Sequence, residues 1–279
     1  MKSRAEAYTG MLLILPSLIG VLIFVLIPFV DVIRRSFTSA ISNEWVGLRN
    51  YIAVFQNTAF RLAATNTLRF LIICIPILIV LSLLIGITIH RQTKYGHFLK
   101  SAYLMPMAIP VVSIAIIWQV LFDQSGIVNG MLSAVSLPTV NWMNSDAAFW
   151  VLVISYIWKN TGYNVVLWLA GLSAIPSSVY EAAKVDGAGE WQMFFRITLP
   201  NLRKVSFTIT LLSLLNSFKV FREAYLVAGN YPHPSMYLLQ HLFQNWYRDL
   251  SLDRLSAAAT LMALVITVIM LQFKKVLYE

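Results

Sequence analysis

The sequence predicts an all-α, polytopic membrane protein of six transmembrane helices, and three observations carry that prediction. Hydrophobic residues make up 58% of the 279 and charged residues only 12%, with a mean hydropathy of +0.72. That charged share is about half that of an ordinary globular domain. The apolar residues fall into runs of about twenty, the length that crosses a ~30 Å hydrocarbon core. Finally, the cations flank these runs. A net charge of +9 would suggest nucleic acid if the protein were soluble. Here the Lys and Arg residues set topology and meet anionic membrane lipid, so no nucleic-acid partner is expected.

The first span is Met11–Val30, after a polar start with Lys2 and Arg4. A cleaved signal peptide is the rival reading. The run is long for a signal core, holds Pro16 and Pro28, and is followed by no small-x-small cleavage site, which favours a retained span. Asp31–Asn66 reads as a loop rich in turn and aromatic residues, including Trp45-Val46-Gly47-Leu48-Arg49-Asn50-Tyr51. The second span, Thr67–Ile89, leaves through His90–Lys100, where Arg91, Lys94 and Lys100 stand without an acid. This is the cleanest positive-inside signal in the chain. The third, Ser101–Phe122, is interrupted by Pro106 and Pro110, which membrane helices tolerate where neighbours or water satisfy the freed carbonyls. Asp123–Ala147 has no Lys or Arg, as a translocated loop should.

Ala148–Leu172 is the fourth span and Val205–Val227 the fifth. Ala228–Arg254 follows as a loop with Gly229, Pro232 and Pro234, and Leu255–Phe273 is the sixth span, ending at Lys274-Lys275. Six spans place both termini on one side. Lys2, Arg4, Arg91, Lys94, Lys100, Lys184, Arg196, Arg203, Lys204, Lys274 and Lys275 then share the cytoplasmic side. Fewer cations, Arg34, Arg35, Arg49, Arg61, Arg69, Arg248 and Arg254, fall outside. The expected topology is N-in, C-in.

Between the fourth and fifth spans lies the longest charge-bearing helical stretch, Ser177 to Ala188, continued by Trp191 to Pro200. Ser178 and Glu181 have capping-box spacing. Gly187 sits where a left-handed C-cap belongs, and a second short helix from Glu190 to Thr198 should stop at Pro200. Glu181 and Asp186 offer charge to a partner, while Ala182, Ala183 and Gly187 allow close backbone approach. Phe194, Phe195 and Ile197 should pack the second helix back under the bundle.

These residues carry a resemblance. Glu181-Ala182-Ala183, Asp186-Gly187-Ala188, Phe194, Ile197 and Leu199-Pro200 resemble the EAA loop of the permease subunits of binding-protein-dependent ABC importers. Val46-Gly47-Leu48-Arg49-Asn50-Tyr51 is similar to a phrase in the first external loop of sugar-importer permeases. Gly126-Ile127-Val128-Asn129, Trp142 and Ser256-Ala257-Ala258-Ala259 look like further family phrases. One departure is Lys204, where the family usually has a second proline. The resemblance implies a type I ABC importer (MetI-like) permease fold, with residues 1–66 as an N-terminal span and first outer loop. Residues 67–279 would then form a five-span core carrying the coupling loop at 173–204. It also implies a bacterial cytoplasmic-membrane location and docking of Glu181, Ala182, Ala183, Asp186, Gly187 and Ala188 into a cytoplasmic ATPase dimer. ATP and Mg would bind that ATPase, leaving no cofactor in this chain. Further implied partners are an extracytoplasmic solute-binding protein and a second permease subunit, either a different one, which the resemblance favours, or this chain's own copy. The implied cargo is a sugar or oligosaccharide, with glycerol phosphate or another small polar solute as the alternative.

No phosphate-cradling G-x-x-x-x-G-K-[S/T], nucleophile elbow or H-E-x-x-H occurs in the sequence, so no catalytic residues are expected. Cys74 is alone, and His90, His97, His233 and His241 do not cluster, so they read as loop and interface residues and no metal site is expected. Two spans carry polar faces. Tyr156, Asn160 and Tyr163 stand at i, i+4 and i+7 with Asn164 beside them, and Ser213, Asn216, Ser217 and Val220 form a similar pattern. Such groups avoid lipid, so both faces should point into the bundle or a wet cavity. A cavity of amides, hydroxyls and rings suits a sugar; hydrogen bonding between helices suits the same residues. In similar sugar permeases the corresponding stretches line the translocation path, which tilts the reading toward substrate. Lys159, Lys219 and Arg222, with Glu223 adjacent, read as structural pairing or snorkelling ahead of recognition of an anionic substrate, a role that would suit the glycerol-phosphate alternative. An ion-coupled secondary transporter would show inverted repeats and paired broken helices, and a receptor would need no docking loop; neither is favoured.

Overall fold

The computed structural model describes the backbone of residues 2–91 and 96–278, and the side chains of residues 11–91 and 102–272. Lys94 therefore lies outside the described residues, as do the side chains of Lys2, Arg4, His97, Lys100, Lys274 and Lys275. The chain divides into two compact units, residues 1–61 with 243–269, and residues 62–242 with 270–279.

In the first unit, α1 (Lys2–Val21), a π turn (Leu22–Leu26) and α2 (Ile27–Ser36) run on as one helix. The π turn stands just ahead of Pro28, and its widened ring runs from Ile27 N–H to Leu22 O. A proline lacks the N–H that would continue the α ladder and its ring crowds the carbonyl four residues back, so one wide turn absorbs it. After α2 the chain folds on itself. Thr38 bridges to Trp45, Phe37 stacks on Trp45 at 5.1 Å, and Gly47 turns at φ 58° into α3 (Arg49–Gln56). Buried Asn50 donates to Ser36 O at 3.0 Å and Thr38 O at 2.9 Å, and Tyr51 OH meets Ser36 Oγ at 2.7 Å. The Gly47-to-Tyr51 phrase is therefore a clasp that holds the end of α2.

The second unit contains most of α4 (Thr58–Arg91), then α5 (Gly96–Ala108), α6 (Val111–Phe122), α7 (Ile127–Ala134) and α8 (Ala147–Ser173). The chain continues through α9 (Ser177–Val185), α10 (Glu190–Met193), a π turn (Phe194–Thr198), α11 (Leu199–Asn201) and α12 (Arg203–Ser217). A 3-10 turn (Phe218–Val220) leads into α13 (Phe221–Ala228). A further 3-10 turn (Pro234–Met236), α14 (Leu239–Arg248) and α15 (Leu252–Tyr278) complete the chain. The core gathers Phe70 and Leu78 of α4, Trp118 of α6, and Phe149, Leu152 and Tyr156 of α8. Buried Trp168 donates its indole N–H to Ser82 Oγ at 3.1 Å, joining α8 to α4.

The all-α class holds among the described residues, whose β structure is the one isolated bridge. The count of six apolar spans is not exact among the described residues, where length and composition pick out four or five. Four stretches among the described residues are long and apolar enough to cross a membrane: Met11–Ser36, Thr58–Arg91, Val111–Ala134 and Leu252–Gln272. A fifth arises if Ala147–Ser173 is counted with Ser177–Val185 across their 65° bend. The expected fifth span, Val205–Val227, is instead the broken series from α12 to α13, and Lys219, Arg222 and Glu223 lower its hydropathy. The expected third span is two helices, because Pro110 is extended (φ −58°, ψ 146°) and starts α6. The second span begins earlier than expected: Asn57 Oδ1 accepts from Phe60 N–H at 2.9 Å, a side-chain cap that starts α4 at Thr58.

Candidate functional site

A cavity of ≈ 170 Å³ lies among α6, α8 and the α12–α13 series. Tyr156, Lys159 and Asn160 reach it from α8, and Asn216, Lys219, Val220 and Glu223 from the opposite side. Trp118 and Ile114 of α6, Met107 of α5 and Ser155 complete the lining. Two features set its electrostatics. Lys159 Nζ lies 2.5 Å from Glu223 Oε1, with side chains only 23% and 5% exposed. Glu223 Oε2 is buried and has no hydrogen-bond partner. The exposed Lys219 donates to Asn216 Oδ1 at 2.8 Å, and Asn160 Nδ2 donates to Tyr156 O at 2.9 Å.

The two polar faces expected from the sequence divide. Tyr156, Asn160, Asn216 and Val220 meet at the cavity. Asn164, Ser213 and Ser217 are buried in packing instead: Asn164 Nδ2 donates to Ser213 Oγ at 3.0 Å, and Ser217 Oγ to Leu214 O at 2.6 Å. Tyr156 does both, since its hydroxyl donates to Ser213 O at 2.6 Å while the residue also lines the cavity. Tyr163 is half-buried and outside the lining. Lys159 and Glu223 pair as expected of membrane-depth charges. Their place in the cavity is not readable in the sequence, since 64 positions separate them.

The loop between α8 and α12 is built from α9, α10, the π turn and α11. Gly187 adopts φ 78°. Around it Gly187 N–H bonds Lys184 O at 3.0 Å and Ala188 N–H bonds Ala183 O at 2.9 Å, the paired bonds of a Schellman cap. Glu181, Ala182, Asp186 and Gly187 are exposed, while Ala183 and Ala188 are half-buried. Tyr180 OH meets Thr198 Oγ1 at 2.9 Å and ties the two arms of the loop together. Beside the loop a second cavity of ≈ 320 Å³ is lined by Arg91, Tyr180, Lys184, Glu190 and Phe194 among others. Arg91 Nη2 lies 3.1 Å from Glu190 Oε2, an exposed pair that contributes little.

Four local expectations need correction. Ser178 and Glu181 form no capping box, because α9 already starts at Ser177 with Pro176 as its cap. The reciprocal bond occurs one helix later, where Gly189 N–H donates to Gln192 Oε1 at 3.1 Å. Pro200 does not stop the second helix. A π turn with Leu199 N–H bonded to Phe194 O carries it on to Asn201, the same solution as at Pro28. Phe194 packs against buried Trp168, Leu172 and Leu202. Phe195 is instead 57% exposed and stacks on Trp191, itself 77% exposed, at 6.1 Å. Finally, His241 is fully buried rather than in a loop or interface. Its Nδ1 accepts from Leu238 N–H at 3.2 Å, and burial pushes its pKa down to about 4.

Residues 78–278 match the family described as binding-protein-dependent transport system inner membrane component. The chain belongs to this family. It is accordingly a multi-pass membrane protein and the permease component of a transport system. The trehalose/maltose transport system permease protein MalF of Thermococcus litoralis is 32% identical over 248 residues, covering 87% of this chain and 84% of that one. The arabinooligosaccharides transport system permease protein AraP of Bacillus subtilis is 31% identical over 221 residues, covering 77% and 70%. Among solved structures, a bacterial ABC transporter involved in the import of the acidic polysaccharide alginate superposes with a TM-score of 0.81. It is 25% identical, covering 99% of this permease and 96% of that chain. The bacterial alginate ABC transporter in complex with an alginate pentasaccharide-bound periplasmic protein gives 0.80 at 26% identity, covering 98% and 94%.

Proposed function

We propose that this permease carries a sugar or oligosaccharide across the bacterial cytoplasmic membrane, receiving it from an extracytoplasmic binding protein. ATP and Mg are bound by a separate ATPase dimer, and a second, different permease completes the pathway. Both termini face the cytoplasm, with the EAA-like loop on that side.

The observation that supports this most is the continuity between cavity and loop. The cavity wall on α8 runs directly into α9 through a 65° bend, and the loop returns into α12, which leads to the opposite wall. Gly171 near the end of α8 sits so close to Leu202 and Val205 that a Cβ there would lie 2.9 and 2.8 Å from their side chains. A push on the exposed face at Glu181, Ala182, Asp186 and Gly187 therefore moves α8 and α12 together. Closure of the ATPase dimer supplies the push, and the cavity opens to accept cargo. Val185, Trp191 and Phe195, all exposed, add apolar area to the docking face.

Tyr156 and Trp118 supply ring faces for a sugar, while Asn160 and Asn216 supply amides for its hydroxyls. Trehalose, maltose and arabinooligosaccharides are the first cargo to try, from the names of the relatives. The test is uptake by the importer reconstituted with its ATPase, second permease and binding protein. Glu181→Lys and Gly187→Pro should abolish uptake while leaving membrane insertion intact. Normal uptake in both variants would remove the coupling role.

A further inference from the structure

We infer that Glu223 is the residue that reads cargo in this cavity, accepting a hydroxyl from an uncharged saccharide, and that acidic saccharides are rejected there. This rests on the importer reading above and narrows its cargo.

Glu223 differs from every other charged group in the cavity. Its side chain is 5% exposed, Oε1 is held by Lys159, and Oε2 is buried with no partner. A carboxylate oxygen left unbonded in a low-dielectric site is an unfilled acceptor, and buried polar atoms are nearly always satisfied. The terminal torsion of a glutamate is soft. A modest turn of the carboxylate can present Oε2 to the cavity while Lys159 keeps its ion pair. A sugar hydroxyl is the donor that fits: it is neutral, small and able to accept in turn from Asn160 or Lys159. Lys159 has three N–H donors, and its bond to Glu223 Oε1 uses one.

The same geometry disfavours an anion. A uronate carboxylate placed beside Glu223 would set like charges together at low dielectric. Lys159 is already paired, and Lys219 is exposed and bonded to Asn216, so its attraction is screened by solvent. The cavity therefore differs in preference from the structurally similar alginate importer, whose cargo is acidic.

The test compares the reconstituted wild-type importer with Glu223→Gln and with the double variant Lys159→Met/Glu223→Gln. Probes are trehalose, maltose and an arabinooligosaccharide as neutral saccharides, and an alginate pentasaccharide as the acidic one. The wild type should import at least one neutral probe and not the acidic one. Glu223→Gln should lower that uptake by roughly tenfold to a hundredfold, the loss expected for one charge-assisted hydrogen bond. Should Glu223→Gln fail to assemble because Lys159 is left unpaired, the double variant should assemble with its partners and still transport poorly. Import of the acidic probe, or wild-type uptake by either assembled variant, would overturn the inference and leave the importer reading standing. Import of no saccharide at all would overturn both.

Discussion

Gly162 of α8 lies against the backbone of Tyr103 in α5: a Cβ on Gly162 would fall 1.7 Å from the Tyr103 carbonyl oxygen. The obstacle is backbone, which cannot rotate aside as a side chain can. Glycine at this crossing is a condition of the helix packing, and Met107, one turn further along α5, lines the cavity.

Gly162→Ala should therefore separate α5 from α8. Overpacking of this kind costs about 1–3 kcal/mol or more. The thermal midpoint of the detergent-solubilised permease should fall clearly. Gly189→Ala, at a position with open space around its Cβ direction, serves as the control and should leave the midpoint nearly unchanged. Equal midpoints for the two variants would mean that the crossing can relax.

Asn129 is the hub of the segment between α6 and α8. Its Nδ2 donates to Gln124 O at 3.0 Å and Val140 O at 2.9 Å, and its Oδ1 accepts from Val140 N–H and Trp142 Nε1, both at 3.0 Å. Asn129→Ala leaves several of these groups unsatisfied at once, each worth about 1–3 kcal/mol where buried. Hydrogen exchange over residues 123–142 should rise in the variant while the coupling loop keeps its wild-type protection. Unchanged exchange there would show that water replaces the amide.

His241 makes the stability of the protein depend on pH. Its folded pKa is about 4, below the ordinary value near 6.5. Above about 6.5 neither state carries the extra proton, so the full stability is present. As pH falls from about 6.5 towards 4, the unfolded chain gains a proton that the folded one refuses, and stability is lost at about 1.4 kcal/mol per pH unit. Melting midpoints measured from pH 7.5 to 4.5 should drop less steeply for His241→Gln than for wild type. Parallel curves would count against this role for His241.

Much of the coupling loop was legible in the sequence. Gly187 after a short helical run announces a left-handed cap, and the fixed spacing from Glu181 through Pro200 carried the family resemblance. The stop at Pro200 was misread because a proline can be absorbed by one π turn, a choice that depends on whether the helix beyond it has something to pack on. The cavity was half legible. The polar faces at Tyr156–Asn160 and Asn216–Val220 follow from helical periodicity alone. The assignment of Asn164, Ser213 and Ser217 to packing does not, because periodicity says which side of a helix a residue occupies and nothing about what stands opposite.

By itself the sequence determined the all-α membrane class, the helical runs, the cap at Gly187 and the presence of charge in two polar segments. Each is a short-range property, set by hydropathy and backbone preference within a few turns. Tertiary structure alone decided that Lys159 meets Glu223, that Gly162 meets Tyr103, and that His241 is buried and Phe195 exposed. Those outcomes depend on which helix faces which at separations of up to 64 positions, where no local preference reaches.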